Sequence, residues 1–138
     1  MIPLLATAAP TRVMLVDDHA LFRTALRHVL ETCADMQIVA EASNGQEAIR
    51  LAFETAPDIV CMDHRLPILG GVEATRLLRI SHPAIKVIGL SACAGHGTVA
   101  EILAAGAVAY VDKEHAGEQL ISTIRSWHPA RAAAQPLG

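Results

Sequence analysis

The sequence predicts an α/β fold, a parallel sheet with helices on both faces, on three observations. Short aliphatic runs alternate strictly with segments of helical period, five times over. Four of the five runs end on an aspartate, a serine or an Asp-Lys pair, as strands do when they carry chemistry to one edge of a sheet. Hydrophobic residues make up 52% and aromatics only 3%, so the core must be packed from aliphatic side chains and alanine. A chain of 138 residues is enough for one domain with one such core.

The leader MIPLLATAAP is mildly apolar and contains an A-x-A pattern, Ala6-Thr7-Ala8. It lacks a positive n-region, and its apolar run is too short for a signal peptide. Residues 1–11 are therefore read as a flexible extension, and residues 12–128 as the domain. The first strand is Val13-Met14-Leu15-Val16, ending on Asp17-Asp18-His19. Phe22, Ala25, Leu26, Val29 and Leu30 then recur at i, i+3, i+4, i+7 and i+8, one face of a helix. Residues 36–42 set Gln37 and Glu41 against Ile38 and Ala40, the alternation of a partly exposed edge strand. Ser43-Asn44-Gly45 turns the chain into a second helix whose face is Ala48, Ile49, Ala52, Phe53 and Ala56, stopped by Pro57.

A third strand, Asp58–Met62, delivers Asp63, after which Pro67, Gly70 and Gly71 punctuate. A third helix spans about Val72 to Ser81, and a fourth strand, Lys86–Leu90, ends on Ser91. Val99, Ile102, Leu103 and Gly106 outline a fourth helix face, Ala107–Val111 a fifth strand before Asp112-Lys113, and Leu120, Ile121, Ile124 and Trp127 a last helix before Pro129. Right-handed crossovers and the chain length favour the flavodoxin-like strand order 2-1-3-4-5. The tail, residues 129–138, is Ala/Pro-rich without amphipathic period and reads as a linker.

Formal charge is −3 and there is no Lys/Arg run, which argues against nucleic-acid binding by this chain itself, though not by an attached domain. Cys33, Cys61 and Cys93 are odd in number without C-x-x-C spacing, as reduced thiols of a cytoplasmic protein would be. No apolar run approaches the roughly 18 residues of a membrane helix.

In a parallel sheet the strand ends share one edge. With the first and third strands adjacent, Asp17, Asp18 and Asp63 meet in one crevice, flanked by Ser91 and Lys113. Each alone is equally well read as a helix N-cap. Together they are harder to explain so, because two carboxylates about 4 Å apart repel by roughly 4 kcal/mol at an effective dielectric of 20. A hard divalent cation such as Mg²⁺, bound through few protein oxygens and several waters, would relieve that.

These stretches resemble the receiver domains of bacterial two-component response regulators, most closely the NarL/FixJ (LuxR-type) family. The matching parts are LVDDHALFRTALRHVL at Leu15–Leu30, MDHRLPILGGVEATRLLR at Met62–Arg79, Leu90-Ser91-Ala92, and AAGAVAYVDK at Ala104–Lys113. The resemblance implies that Asp63 is the phosphoacceptor and that Asp17, Asp18, Asp63 and the backbone carbonyl of Arg65 hold Mg²⁺. It further implies that Lys113 pairs with phosphoryl oxygens, and that Ser91 and Tyr110 form the switch. The implied partners are a sensor histidine kinase, a second copy of the chain on phosphorylation, and DNA only through an attached helix-turn-helix domain. No membrane partner is expected.

Some residues depart from the family pattern. Leu66 stands where Met is usual, and Ala109 where Gly is common. Asp112 replaces an apolar residue, so its side chain either faces solvent or weakens Lys113's hold on phosphate. Arg65 and Cys93 should tune the lifetime of the phosphorylated state. His19 reads as a helix-start residue, His64 as facing away from the site, and Met14, Met36 and Met62 as core filler. Two other functions fit less well. A Mg²⁺-dependent phosphatase with an aspartyl nucleophile wants D-x-D after the first strand, which is absent here. A pseudo-receiver scaffold would not need all five site positions filled.

Overall fold

The computed structural model describes residues 9–92 and 96–127, of His96 the backbone only. Five parallel strands, β1 (Thr11–Val16), β2 (Met36–Ala42), β3 (Ile59–Asp63), β4 (Lys86–Ser91) and β5 (Ala109–Asp112), stand in the order β2-β1-β3-β4-β5. Helices α1 (Ala20–Glu31), α2 (Gly45–Thr55), α3 (Gly71–Ser81), α4 (His96–Ala105) and α5 (Ala116–Ser126) alternate with them, and a 3₁₀ turn (Lys113–His115) precedes α5. This is the doubly wound, flavodoxin-like arrangement expected, with β1 and β3 adjacent at the switch point.

Strand residues alternate between two apolar layers because successive side chains point to opposite faces. Val13, Leu15, Ile59, Cys61, Ile88, Leu90 and Val111 pack under α1 and α5 with Leu26, Leu30, Leu120 and Ile124. Met14, Val16, Val60, Met62 and Val87 pack under α2, α3 and α4 with Ala48, Ala52, Ala74, Leu78 and Ile102. Each buried Leu, Ile, Val or Met contributes roughly 1.5–3 kcal/mol of transfer free energy, and that total drives the fold. Met14, Met36 and Met62 are core filler as expected, and Leu66 packs half-buried against the second layer. Burial pushes the Cys61 thiol up to about 12, so it stays a protonated, inert core thiol.

Several element ends differ from the sequence reading. Thr11, placed in the extension, is buried and begins β1, pairing with Met36 and donating its N–H to the Asp35 carbonyl. β3 reaches Asp63, and β5 starts two residues later than expected. Phe53 was expected on the buried face of its helix but is 70% exposed. The stripe that packs is Ala48 and Ala52, whose small side chains seat α2 tightly; Phe53 lies at its margin, edge-on to the His82 ring at 4.7 Å. Ala25 and Leu103 are likewise exposed at the margins of their faces. Ala56 takes the left-handed C-cap conformation (φ 46°) ahead of Pro57, Gly106 (φ 124°) follows α4, and Trp127 caps α5 from outside it. The expected linker, residues 129–138, and Cys93 lie outside the described residues.

What positions the site is the loop between β3 and α3. Gly71 opens α3 directly over the end of β3, and a Cβ there would overlap the Asp63 carbonyl oxygen. Its N–H donates to the His64 carbonyl (3.1 Å), while the Gly45 N–H takes the Leu69 carbonyl (3.0 Å). Asn44 Oδ1 in turn caps α2 by accepting the Glu47 N–H (2.8 Å), and Glu47 reaches back to the Ser43 N–H. At the loop's tip Ile68, 75% exposed, has φ 67°, and the Leu69 N–H bonds the Pro67 carbonyl (2.7 Å) in a tight γ-turn. A β-branched residue is strained in that region. Ile68→Gly should therefore stabilise the domain by about 0.5–1 kcal/mol, net of glycine's greater chain entropy. Denaturant melts check this; a destabilised variant would contradict the strain.

Candidate functional site

The carboxyl edge of the sheet gathers the residues expected there. Asp17 and Asp18 follow β1, Asp63 and Ser91 close β3 and β4, and Lys113 follows β5. Asp17, Asp63 and Ser91 are all buried, and Asp18 is the solvent-side member of the group. Lys113 Nζ lies 2.6 Å from Asp17 Oδ2 and 3.2 Å from Asp63 Oδ2. The first is an attraction of charges more than a well-directed hydrogen bond, since that oxygen has no donor at good angles. Lys113 also lies over the Phe22 ring of α1, 4.7 Å from its centre, which shields the ammonium from water.

Asp17 Oδ1 accepts the backbone N–H of His19 (2.8 Å), so the aspartate and the start of α1 hold each other. The His19 ring stands 3.0 Å from the same oxygen and 3.5 Å from Asp18 Oδ1, and thus does more than start the helix. Oxygens of Asp17, Asp18 and Asp63 and a ring nitrogen of His19 all fall within 4.8 Å of one another. Arg23 fixes the β1 end from α1, donating to the Asp17 carbonyl (2.5 Å) and to Glu41 of β2 (2.9 Å).

Burial raises the Asp63 carboxyl above the ordinary carboxylate range, and the Asp17 charge adds to the effect. The Lys113 charge and hydrogen bond and the Arg65 backbone N–H oppose it without cancelling it. For Lys113 burial works to lower the pKa. Its contact with Asp17 and the Asp63 and Asp17 charges outweigh that, so the ammonium is held above its usual range.

Asp63 opens into a cavity of about 190 Å³ lined by His19, His64, Arg65, Ser91, Ala92, Thr98 and Lys113. A cleft of about 250 Å³ between Arg79, Lys86 and Gly106 contains none of the strand-end residues. Of the site residues expected from sequence, Asp63, Ser91, Lys113 and Arg65 thus share one cavity, with Asp17 and Asp18 beside it. Tyr110 is half-buried on β5, opposite Gly89 of β4. Asp112 does not enter the cavity: it caps the 3₁₀ turn, accepting the Glu114 N–H (2.9 Å). Period-two alternation explains this, for Asp112 and Lys113 leave β5 on opposite faces.

His64 borders the cavity, and its ring turns to α4, where Nε2 lies 3.1 Å from Glu101 Oε1. Thr98, from the first turn of α4, and Phe22, over Lys113, escaped the sequence reading. Only Phe22 left a trace there, as a member of the α1 face.

Asp63's raised pKa carries a pH dependence. A carboxyl whose folded pKa lies above its unfolded value favours folding when protonated, and that stability is lost as pH rises through the folded pKa. Without divalent cations Asp63→Asn should therefore melt higher than wild type at neutral pH. The gain should be about 3–5 °C for each kcal/mol of relieved charge burial. The difference should close as pH falls through the raised Asp63 pKa. Melts in a chelator from about pH 4 to pH 8 check this; a variant less stable at neutral pH would contradict it.

Residues 13–125 match the family described as the response regulator receiver domain. The response regulator GacA of Pseudomonas viridiflava is 40% identical over 114 residues, covering 83% of this chain and 53% of that protein. The response regulator UvrY of Escherichia coli K12 is 39% identical, covering 83% and 52%. The chain thus spans about half the length of the curated relatives it matches. A LuxR-family two-component response regulator from Aurantimonas sp. SI85-9A1 superposes with TM-score 0.81 at 36% identity, covering 91% of this chain and 94% of that one. A LuxR-family DNA-binding response regulator from Staphylococcus aureus does so with TM-score 0.79 at 29% identity, covering 84% and 97%. Sequence and fold agree: the chain belongs to the response regulator receiver domain family.

Proposed function

We propose that this domain is a phosphorylation-dependent switch that accepts a phosphoryl group on Asp63 from a histidine kinase. The observation that carries this is Asp63 itself, a buried carboxylate at the wall of a small cavity, with an ammonium 3.2 Å from one oxygen and Ser91 on the same cavity. An Asp63 oxygen attacks phosphorus, the P–N bond of the phosphohistidine breaks, and the imidazole leaves with its electron pair and takes up a proton. Lys113 attracts the phosphoryl oxygens as a point charge, held in place by Asp17 and by the Phe22 ring. Ser91 donates its hydroxyl to the phosphoryl group.

The chain's donor set fits a divalent cation. Three carboxylates meet one lysine, and Asp17 Oδ2 lacks a well-directed donor. Asp17, Asp18, Asp63 and the backbone carbonyl of Arg65 would hold Mg²⁺, which when bound offsets charge on the carboxylates and on the phosphoryl group. Oxygen ligands from carboxylates suit this hard cation.

Once the phosphoryl group draws Ser91 toward Asp63, Tyr110 turns inward and the face of α4, β5 and α5 changes shape, a charge event biasing a two-state element. Hydrolysis of the aspartyl phosphate by water resets it, with Arg65 setting the pace from the cavity wall. The DNA-binding LuxR-family regulator from Staphylococcus aureus supports transcription control through an attached DNA-binding domain; pairing of two copies on phosphorylation and a cytoplasmic setting complete the proposal. Among the described residues no helix is long and apolar enough to cross a membrane.

Intact-mass measurement with a small phosphodonor tests the reading. Wild type should gain one phosphoryl group only when Mg²⁺ is present, Asp63→Asn none, and Lys113→Met at least about tenfold less at equal times. Undiminished labelling of Asp63→Asn would refute the assignment.

A further inference from the structure

The cavity beside Asp63 has a wall that no catalytic role accounts for. Thr98 reaches it from the first turn of α4, a helix that otherwise packs on α3, β4 and β5. α4 is seated near its middle: Ile102 is buried directly over Gly89, where a Cβ would come within 2.9 Å of the Ile102 side chain. The neighbouring residue, Glu101, extends from this seat to His64, whose Nε2 lies 3.1 Å from Oε1. The two partners are unlike: the His64 side chain is 17% exposed and Glu101 63%.

His64 is a firm anchor. Its N–H donates to the Leu90 carbonyl of β4 (2.9 Å) and its carbonyl accepts the Gly71 N–H of α3 (3.1 Å). The residue next to Asp63 is thus clamped from two sides and offers its ring to α4. Thr98 and Glu101 are three residues apart, hence on one face of the helix. The residue that walls the cavity and the residue that is tethered move together. Because Glu101 is largely in water, the bond adds little to global stability, and its effect is local.

We infer that His64 and Glu101 are positioning residues for the phosphoacceptor site. Their bond holds the first turn of α4, and Thr98 with it, against the cavity, so that water's access to the aspartyl phosphate and the position of α4 are set together. This rests on Asp63 being the phosphoacceptor. It adds a second link between that residue and α4, separate from Ser91 and Tyr110.

The test uses the 138-residue chain with Glu101→Ala, Glu101→Gln, His64→Ala and the double alanine variant. In unphosphorylated protein, Glu101→Ala should speed amide hydrogen exchange in α4 by about three- to tenfold while α1 is unchanged, and Glu101→Gln, which keeps the acceptor oxygen, should restore wild-type exchange. In labelled protein, both alanine variants should shorten the aspartyl phosphate lifetime by about two- to fivefold, and the double variant no further. Wild-type exchange in Glu101→Ala, an unchanged lifetime, or additive effects in the double variant would overturn the inference. If wild type takes no phosphoryl group, the phosphoacceptor reading fails, while the exchange comparison still decides whether the tether holds α4.

Discussion

Two buried carboxylates, Asp17 and Asp63, share one ammonium, with Lys113 Nζ 2.6 Å from the first and 3.2 Å from the second. Around that contact the charges do not balance. Asp18 adds a third negative group, and a pair of carboxylates about 4 Å apart costs roughly 4 kcal/mol at an effective dielectric of 20. The raised pKa of Asp63 expresses the same excess. A site built for stability alone would have replaced one of these groups by an apolar residue. This one keeps an unmet demand for positive charge beside a cavity large enough for a phosphoryl group.

The fold exists in a form that holds this contact together. Parallel strands with right-handed crossovers bring every strand end to one edge, and the switch point sets β1 against β3. Alternation then selects which residue of each end turns inward. Gly71 lets α3 start almost on top of Asp63, and the His64 N–H extends the β3–β4 ladder one residue past the strand. The loop bearing the nucleophile is thereby pinned by backbone bonds near both ends, while Arg65, Pro67 and Ile68 between them are exposed. Strain at Ile68 is compatible with the rest because the Gly45 and Gly71 amides hold the loop from both ends.

Much of this was legible in the sequence because it rests on periodicity. The five strand–helix pairs follow from aliphatic runs alternating with period-3.6 patterns; strand order follows from right-handed crossovers and chain length, and the meeting of Asp17, Asp63, Ser91 and Lys113 from that order. Even Asp112's outward turn was available from alternation along β5. Phe53 was misplaced because an apolar side chain at helical spacing says nothing about how wide the buried stripe is, and alanines narrowed it. His64, Thr98 and Glu101 were out of reach for a different reason. Their meeting depends on where α4 sits over Gly89, a tertiary distance that no local pattern encodes. The tethers that could tune a switch are therefore less readable from sequence than its reacting groups.

If excess negative charge beside Lys113 organises this domain, a divalent cation should be the simplest thing that relieves it. The most direct measurement is the melting temperature of the phosphate-free chain as Mg²⁺ is titrated, for wild type and Asp63→Asn. The account predicts a saturable rise in wild type that is weakened in the variant, because a ligand bound only by the folded state stabilises it by mass action. No Mg²⁺-dependent rise in wild type, or an equal rise in both proteins, would contradict it.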